Sequence, residues 1–366
     1  MKRERGRTID VDTLAEFDER VSAGATSMEG WHVRALDLSA RTDALARLEA
    51  CGSLFLGCRF EGPAVESGLR AHGALLFPSV PDVPVQQYRG ALYTPQELYD
   101  GLGAGYEQTP DVRIYAWSKQ TGSVDLSLAK ALHDHAIDDA MGDTIRERRL
   151  VGVMGGHAVE RGTEVYAGAA RLARDLAARG LFVCTGGGPG AMEAANLGAY
   201  AAAFDDAMLA EALVVLGAVP GFRPSVEDWA VAGFDVLDRY PGGAESLGIP
   251  TWHYGHEPPN PFATRIAKYF KNAIREDILL HLCTAGIVFL PGAGGTVQEI
   301  FQDACENYYA DPATVAPMVL VGKRYWTETY PAWPLLESLA AGRAMERVVH
   351  LVDRLDDVPP LMATSP

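Results

Sequence analysis

Leu181-Phe-Val-Cys-Thr-Gly-Gly-Gly-Pro-Gly-Ala-Met-Glu193 decides the fold. Leu181–Thr185 is a short apolar run that reads as a buried strand, and it stops at Gly186-Gly-Gly-Pro-Gly190. Pro189 suits the first turn of a helix. The free N–H groups and positive dipole end of that helix face any anion the glycines allow to approach. The same grammar recurs downstream: Ile287–Leu290 reads as a strand, Pro291-Gly-Ala-Gly-Gly-Thr296 as a loop, and a helix continues to about Tyr308. A strand that ends in glycines and opens a helix, met twice, predicts a parallel sheet with ligand loops at the carboxyl ends of its strands.

The surrounding chain repeats this rhythm. Leu150–Met154 reads as a strand running into Gly155-Gly156, and Val165–Arg179 as an amphipathic helix stopped at Gly180. Ile249–Tyr254 reads as a further strand, Thr264–Cys283 as one long helix, and Met318–Val321 and Val348–Val352 as strands around a helix near Leu335–Ala341. The expected class is α/β: a doubly wound, Rossmann-like parallel sheet over residues 149–366. Residues 201–248 interrupt it with helical pieces at Asp206–Leu216 and Ser225–Leu237, too long for a simple connection. A lid, a subunit contact and a structural insertion all remain open for them. Residues 1–148 are expected to form a smaller α+β module of unknown role. Its strands are Ser53–Phe60 and Ala74–Pro78, and its helices are one capped at Thr94-Pro-Gln-Glu97 and Val124–Met141.

Composition narrows the function. A formal charge of −16 argues against a general nucleic-acid binder, whose surface must be basic, so any phosphate has to be recognised locally. Cys51, Cys58, Cys184, Cys283 and Cys305 form no CxxC pair and suggest reduced thiols. The basic start, MKRERGR, is followed by acidic and polar residues and not by an apolar stretch. No run reaches the length of a membrane span, so the cytoplasm is expected and a membrane partner is not.

The second loop carries the chemistry-bearing residues. Thr296 and Glu299 have the spacing of a capping box, so Glu299 could serve only as a helix cap. In the other reading Thr296 and the loop amides hold phosphate while Glu299 does acid–base or electrostatic work. Two glycine loops on one sheet favour the latter. If Thr264–Cys283 is helical, Arg265, Lys268, Asn272 and Arg275 share one face, which is either a solvated stripe or part of the site. His133 and His135 are two residues apart and would not share a helix face. His253, His256 and Glu257 lie in a proline-flanked loop without a third clear ligand group, and no metal is expected.

Taken together, the GGGPGAME loop, Arg275 and the PGAGGTVQE loop resemble the LOG ("lonely guy") family of phosphoribohydrolases, including the longer bacterial nucleotide 5′-monophosphate nucleosidases. Pro291, Gly292, Gly295, Thr296 and Glu299 match the family pattern. Ala293 replaces a glycine, and Glu276 follows Arg275 where short plant-type members carry lysine. The resemblance implies hydrolysis of the N-glycosidic bond of a nucleoside 5′-monophosphate, with a cytokinin or an ordinary purine or pyrimidine as base. It implies Glu299 and Arg275 as catalytic residues, and phosphate bound by the amides around Gly292, Gly294, Gly295 and Thr296. Gly187, Gly188 and Gly190 would complete the wall, with Met192, Glu193 and Glu257 at the substrate. It further implies a homodimer or larger homo-oligomer and no cofactor. The lysine decarboxylase label sometimes given to such proteins finds no support, because Lys268, Lys271 and Lys323 have no recognisable setting for a pyridoxal phosphate Schiff base. A nucleotide-binding sensor without turnover is the alternative.

Overall fold

The computed structural model describes residues 8–120, 123–253 and 257–362. The chain divides into two compact units: Met1–Leu92 with Lys119–Asp143, and Tyr93–Ser118 with Thr144–Pro366. The division therefore crosses the chain three times, where the sequence suggested a single boundary near residue 148.

In the smaller unit the order is β1 (Ile9–Val11), α1 (Leu14–Ser22), β2 (Trp31–Arg34), α2 (Thr42–Leu45), β3 (Leu54–Leu56), α3 (Pro63–Ala71) and β4 (Leu75–Phe77). The strands lie side by side in sequence order and every pair is parallel. This unit is thus itself a parallel α/β layer, where segregated α+β elements were expected. Register explains it: Val11 pairs with Val33, Val33 with Phe55 and Phe55 with Leu76, so one buried ladder advances by 22, 22 and 21 residues. Each coil is a short strand and return, and stacking buries what no single coil could. The period has no matching side-chain signature, which hid it.

The chain then forms α4 (Pro95–Leu98) and α5 (Pro110–Ser118), returns to the smaller unit for most of α6 (Val124–Ile145), and enters the larger sheet. There β5 (Leu150–Met154), α7 (Glu164–Ala178), β6 (Phe182–Thr185) and α8 (Ala191–Ala201) follow the expected strand–helix rhythm. Residues 201–248 contain α9 (Asp206–Gly217), α10 (Val226–Arg239) and β7 (Leu247–Gly248). Met208, Leu209, Ala212, Leu216, Val236 and Leu237 join the core of the larger unit, so this segment packs as part of the domain. The remaining elements are β8 (Arg265–Ile266), α11 (Asn272–His281), β9 (Ile287–Phe289), α12 (Gly294–Tyr309), β10 (Met318–Val321), α13 (Ala332–Ala340) and β11 (Val349–Val352).

The seven strands run in the order β11-β10-β9-β5-β6-β7-β8, all parallel, which is the doubly wound α/β fold. From β5 the chain winds outward in one direction through β8, then returns to β9 and winds in the other. The reversal opens a crevice at the carboxyl ends of β5 and β9, where such sheets bind ligands.

One predicted element is replaced. Thr264–Cys283 is not a single helix: Arg265–Ile266 is a strand, and helix begins only at Asn272. The amides of Ala267 and Tyr269 donate to Gly248 O and Pro250 O, and the sheet side of this segment is buried. Apolar residues on all sides marked a buried strand here, a pattern that short windows do not separate from a buried helix. The basic stripe consequently dissolves. Lys268 is fully buried and pairs with Asp111 Oδ1 at 2.6 Å, while Trp252 Nε1 donates to the same oxygen at 2.8 Å. The strand expected at Ile249–Tyr254 lies one step early, at Leu247–Gly248. Thr251 still bridges Tyr269, and Tyr254 is outside the described residues.

Candidate functional site

The loops after β5, β6 and β9 converge on a cavity of about 730 Å³ at the switch point. Gly155, Gly156 and His157 come from the first loop, Gly186, Gly188 and Met192 from the second, and Gly292 to Thr296 from the third. Arg275, Glu276, Gln298 and Glu299 form the far wall, and Glu257 and Tyr325 complete the rim. The volume lies in the ordinary range for a small-molecule ligand.

The loop after β9 is shaped for an anion. Helix α12 starts at Gly294, and its first internal bond is Val297 N to Ala293 O at 2.9 Å. The amides of Gly294, Gly295 and Thr296 therefore precede the helical ladder and point outward at the positive end of the dipole. A Cβ on Gly294 or Gly295 would meet only open space, whereas one on Gly292 would stand 2.1 Å from Thr296 Oγ1. Gly292 is glycine so that the loop can close on the helix. Tyr325 secures it from the next strand's loop, donating its hydroxyl to Gly292 O at 2.9 Å.

The capping box that the spacing of Thr296 and Glu299 allowed is absent. Thr296 lies within the first turn of α12, Glu299 further in, and the N-cap position is Ala293, which makes no side-chain bond. Both residues are buried, and Glu299 turns toward α11 instead of back to the helix start. Its Oε1 lies 3.6 Å from Arg275 Nη1. Burial pushes the Glu299 carboxyl up to about 7; Arg275 pulls it down and Glu276 pushes it up again. A carboxyl in that state exchanges its proton near neutral pH, the condition under which acid–base work is efficient.

Arg275 is anchored at one corner only. Its Nη2 lies 3.3 Å from Asn272 Oδ1 and 3.4 Å from Glu276 Oε1, while Nε and Nη1 are buried without a hydrogen-bond partner among the described residues. Buried donors of a cation left open are costly unless a ligand completes them.

The first glycine loop serves a different end. Gly190 has φ 72° and ψ −127°, which only glycine adopts readily, and a Cβ there would stand 2.6 Å from Gly156 O. Gly187 is pressed against Gly248 and Pro250. Gly187 and Gly190 thus lie behind the cavity wall, and of the three glycines singled out here Gly188 lines it. A buried polar net holds the loop: Gly187 N donates to Thr185 Oγ1 (3.0 Å), and Asn260 Nδ2 donates to Gly188 O (3.1 Å) and Asn196 Oδ1 (3.0 Å). Glu193 is also absent from the cavity. It is almost fully buried beneath α8 and accepts from Arg161 Nε at 2.9 Å, with the guanidinium over Trp229. The helix direction that brings Met192 to the cavity turns its neighbour into the core.

Glu257 lines the rim and faces His157, whose Nδ1 lies 3.2 Å from Glu257 Oε1. His157, Glu276, Gln298 and Tyr325 were not singled out from sequence. The glycine pair after β5 was the available signal for His157, the place directly after Arg275 was the one for Glu276, and Gln298 and Tyr325 had none. The remaining histidines do not gather: His133 is buried beside Asp134, His135 is exposed, and His256 lies outside the described residues. Among the described residues no group of His, Cys, Asp and Glu could hold a metal ion, and no helix is long and apolar enough to cross a membrane.

Fold and site define a doubly wound α/β protein with a crevice at its switch point, walled by the amides that open α12 and by Arg275 and Glu299. The sequence model of the SLOG cluster4 family matches residues 148–204, the stretch from β5 through α8, and that superfamily includes LOG-like Rossmann-type proteins. No curated protein matches the chain. Among solved structures it is similar to the molybdenum cofactor binding protein of Rippkaea orientalis: 16% identity, 59% of this chain, 95% of that one and a TM-score of 0.36. It is also similar to the molybdenum cofactor carrier protein of Chlamydomonas reinhardtii: 19% identity, 59% of this chain, 98% of that one and a TM-score of 0.36.

Proposed function

We propose that the chain hydrolyses the N-glycosidic bond of a nucleoside 5′-monophosphate, releasing the base and ribose 5-phosphate. The observation that carries this reading is the pairing of Arg275 and Glu299 on the cavity wall beside the open amides of α12. Phosphate would bind the amides of Gly294, Gly295 and Thr296, with Arg275 Nε and Nη1 completing its charge. That anchors the ribose with C1′ toward Glu299. Leaving of the base builds positive charge on the ribose ring, which ionised Glu299 stabilises while taking a proton from the attacking water. Met192 and the half-exposed pair His157–Glu257 border the space left for the base.

The chemistry sets a pH dependence. Glu299 works as the ionised form and its carboxyl sits near 7, so kcat should rise with pH through an acidic limb centred near 7. Incubation with AMP, GMP, CMP, UMP and a cytokinin monophosphate, with chromatography for free base, tests the reading. Binding without release of base in every case would leave a nucleotide sensor. We further propose a homo-oligomer, tested by light scattering against the 39.4 kDa of one chain. The free cysteines support a reducing compartment such as the cytoplasm.

A further inference from the structure

Beside the cation that faces the cavity stands an anion that the proposed reaction does not use. Glu276 is buried, and its carboxylate meets three side-chain donors: Asn272 Nδ2 at 2.8 Å, Gln298 Nε2, and Arg275 Nη2 at 3.4 Å. A carboxylate taken out of water needs such partners to remain charged, and these also fix its position. A guanidinium is planar, so holding Nη2 between Asn272 and Glu276 sets the direction of its other nitrogens. Among the described residues Nε and Nη1 are buried without a hydrogen bond, and Nη1 makes only a long ion pair with Glu299 Oε1 at 3.6 Å. Opposite charges so close in a weakly screened site would close up if nothing held them apart.

We propose that Glu276 is a positioning residue: it tethers Arg275 through Nη2, keeps it from closing on Glu299, and so leaves Nε and Nη1 for the ligand's anion and Glu299 for proton transfer. The inference rests on the reading of Arg275 and Glu299 as the substrate-facing pair. The effect on Glu299 follows the same geometry, because Glu276 raises its proton affinity and Arg275 lowers it. The other titratable groups around the cavity are His157, Glu257 and Tyr325, and Asp303 stands one turn along α12 with its own carboxyl raised by burial.

The test is a ¹³C NMR titration of the Glu299 carboxyl in the full chain, assigned by its loss in Glu299→Gln. In Glu276→Gln the midpoint should fall by about one pH unit, as expected for loss of a neighbouring like charge. The dissociation constant for inorganic phosphate should rise about tenfold as Arg275 turns to Glu299. Glu276→Asp, which keeps the charge, should restore most of the midpoint. Should Glu276→Gln not fold, Asn272→Ala removes both the donor to Glu276 and the acceptor of Arg275, and should move the midpoint the same way. An unchanged midpoint in the folded variant, or one that Glu276→Asp does not restore, overturns the proposal. The titration reads Glu299 directly, so failure of the hydrolase reading is a separate result, seen as absence of released base from the wild type.

Discussion

The two glycine loops look alike in composition and do opposite things with their glycines. After β6, Gly187 and Gly190 are glycines because neighbouring backbone leaves no room for a side chain: Gly248 on one side, Gly156 and His157 on the other. After β9, Gly294 and Gly295 have nothing within 4 Å, and they open onto the cavity at the start of a helix. One loop spends its glycines on close packing, and the other leaves backbone amides uncovered. Glycine richness after a strand therefore reports close approach of something, and only the surroundings say whether that is protein or ligand.

The largest expected effect falls on the open loop's helix. Glu299→Gln should lower kcat for AMP by roughly 10²–10⁴, the usual share of a general acid–base group. It should also stabilise the protein in alkaline solution. The Glu299 carboxyl is raised from 4.5 to about 7 by burial, so its stabilising contribution is complete below 4.5 and is lost as pH rises through 7. At pH 8 the neutral amide relieves that loss, on the order of 3 kcal/mol, and at pH 4 the difference should vanish. Thermal melts at the two pH values measure this, and a uniform shift would show that burial of charge is not the cause.

Removing the ligand's phosphate should come next, with kcat/KM for adenosine about 10²-fold below AMP, because charge-assisted bonds to the amides and Arg275 are lost. Equal rates would erase the distinction between the loops. Gly190→Ala should then cost roughly 2–5 kcal/mol, combining a strained backbone with overpacking, measured by denaturant unfolding. Gly294→Ala should do the reverse. Its stability should change by under about 1 kcal/mol, in the favourable direction expected of alanine in a helix, while AMP affinity drops about tenfold as the methyl obstructs the approach to the amides. Similar melting for the two alanine variants would break the comparison.

Much of the fold is carried by local pattern. Strands β5, β6, β9 and β10, the stop at Gly180 and the helix cap at Thr94 were readable, because hydrophobic runs and caps are set within a few residues. The same locality explains the failures. β8 was taken for helix because a two-residue edge strand amid apolar residues carries no period of its own. The stacked coils of the smaller unit repeat in backbone path more than in residue type.

For the site, sequence alone marked the second loop, Arg275 and Glu299, since glycines, a helix start and a carboxylate one turn in are all local. Tertiary structure alone decided which groups meet. It turned Glu193 onto Arg161, paired Lys268 with Asp111 across 157 residues of chain, and set Gln298 against Glu276. It also set the proton affinity of Glu299, which rests on how much water packing removes and on which charges share the space. Those quantities depend on distance and dielectric between residues far apart in sequence, and no local pattern carries them.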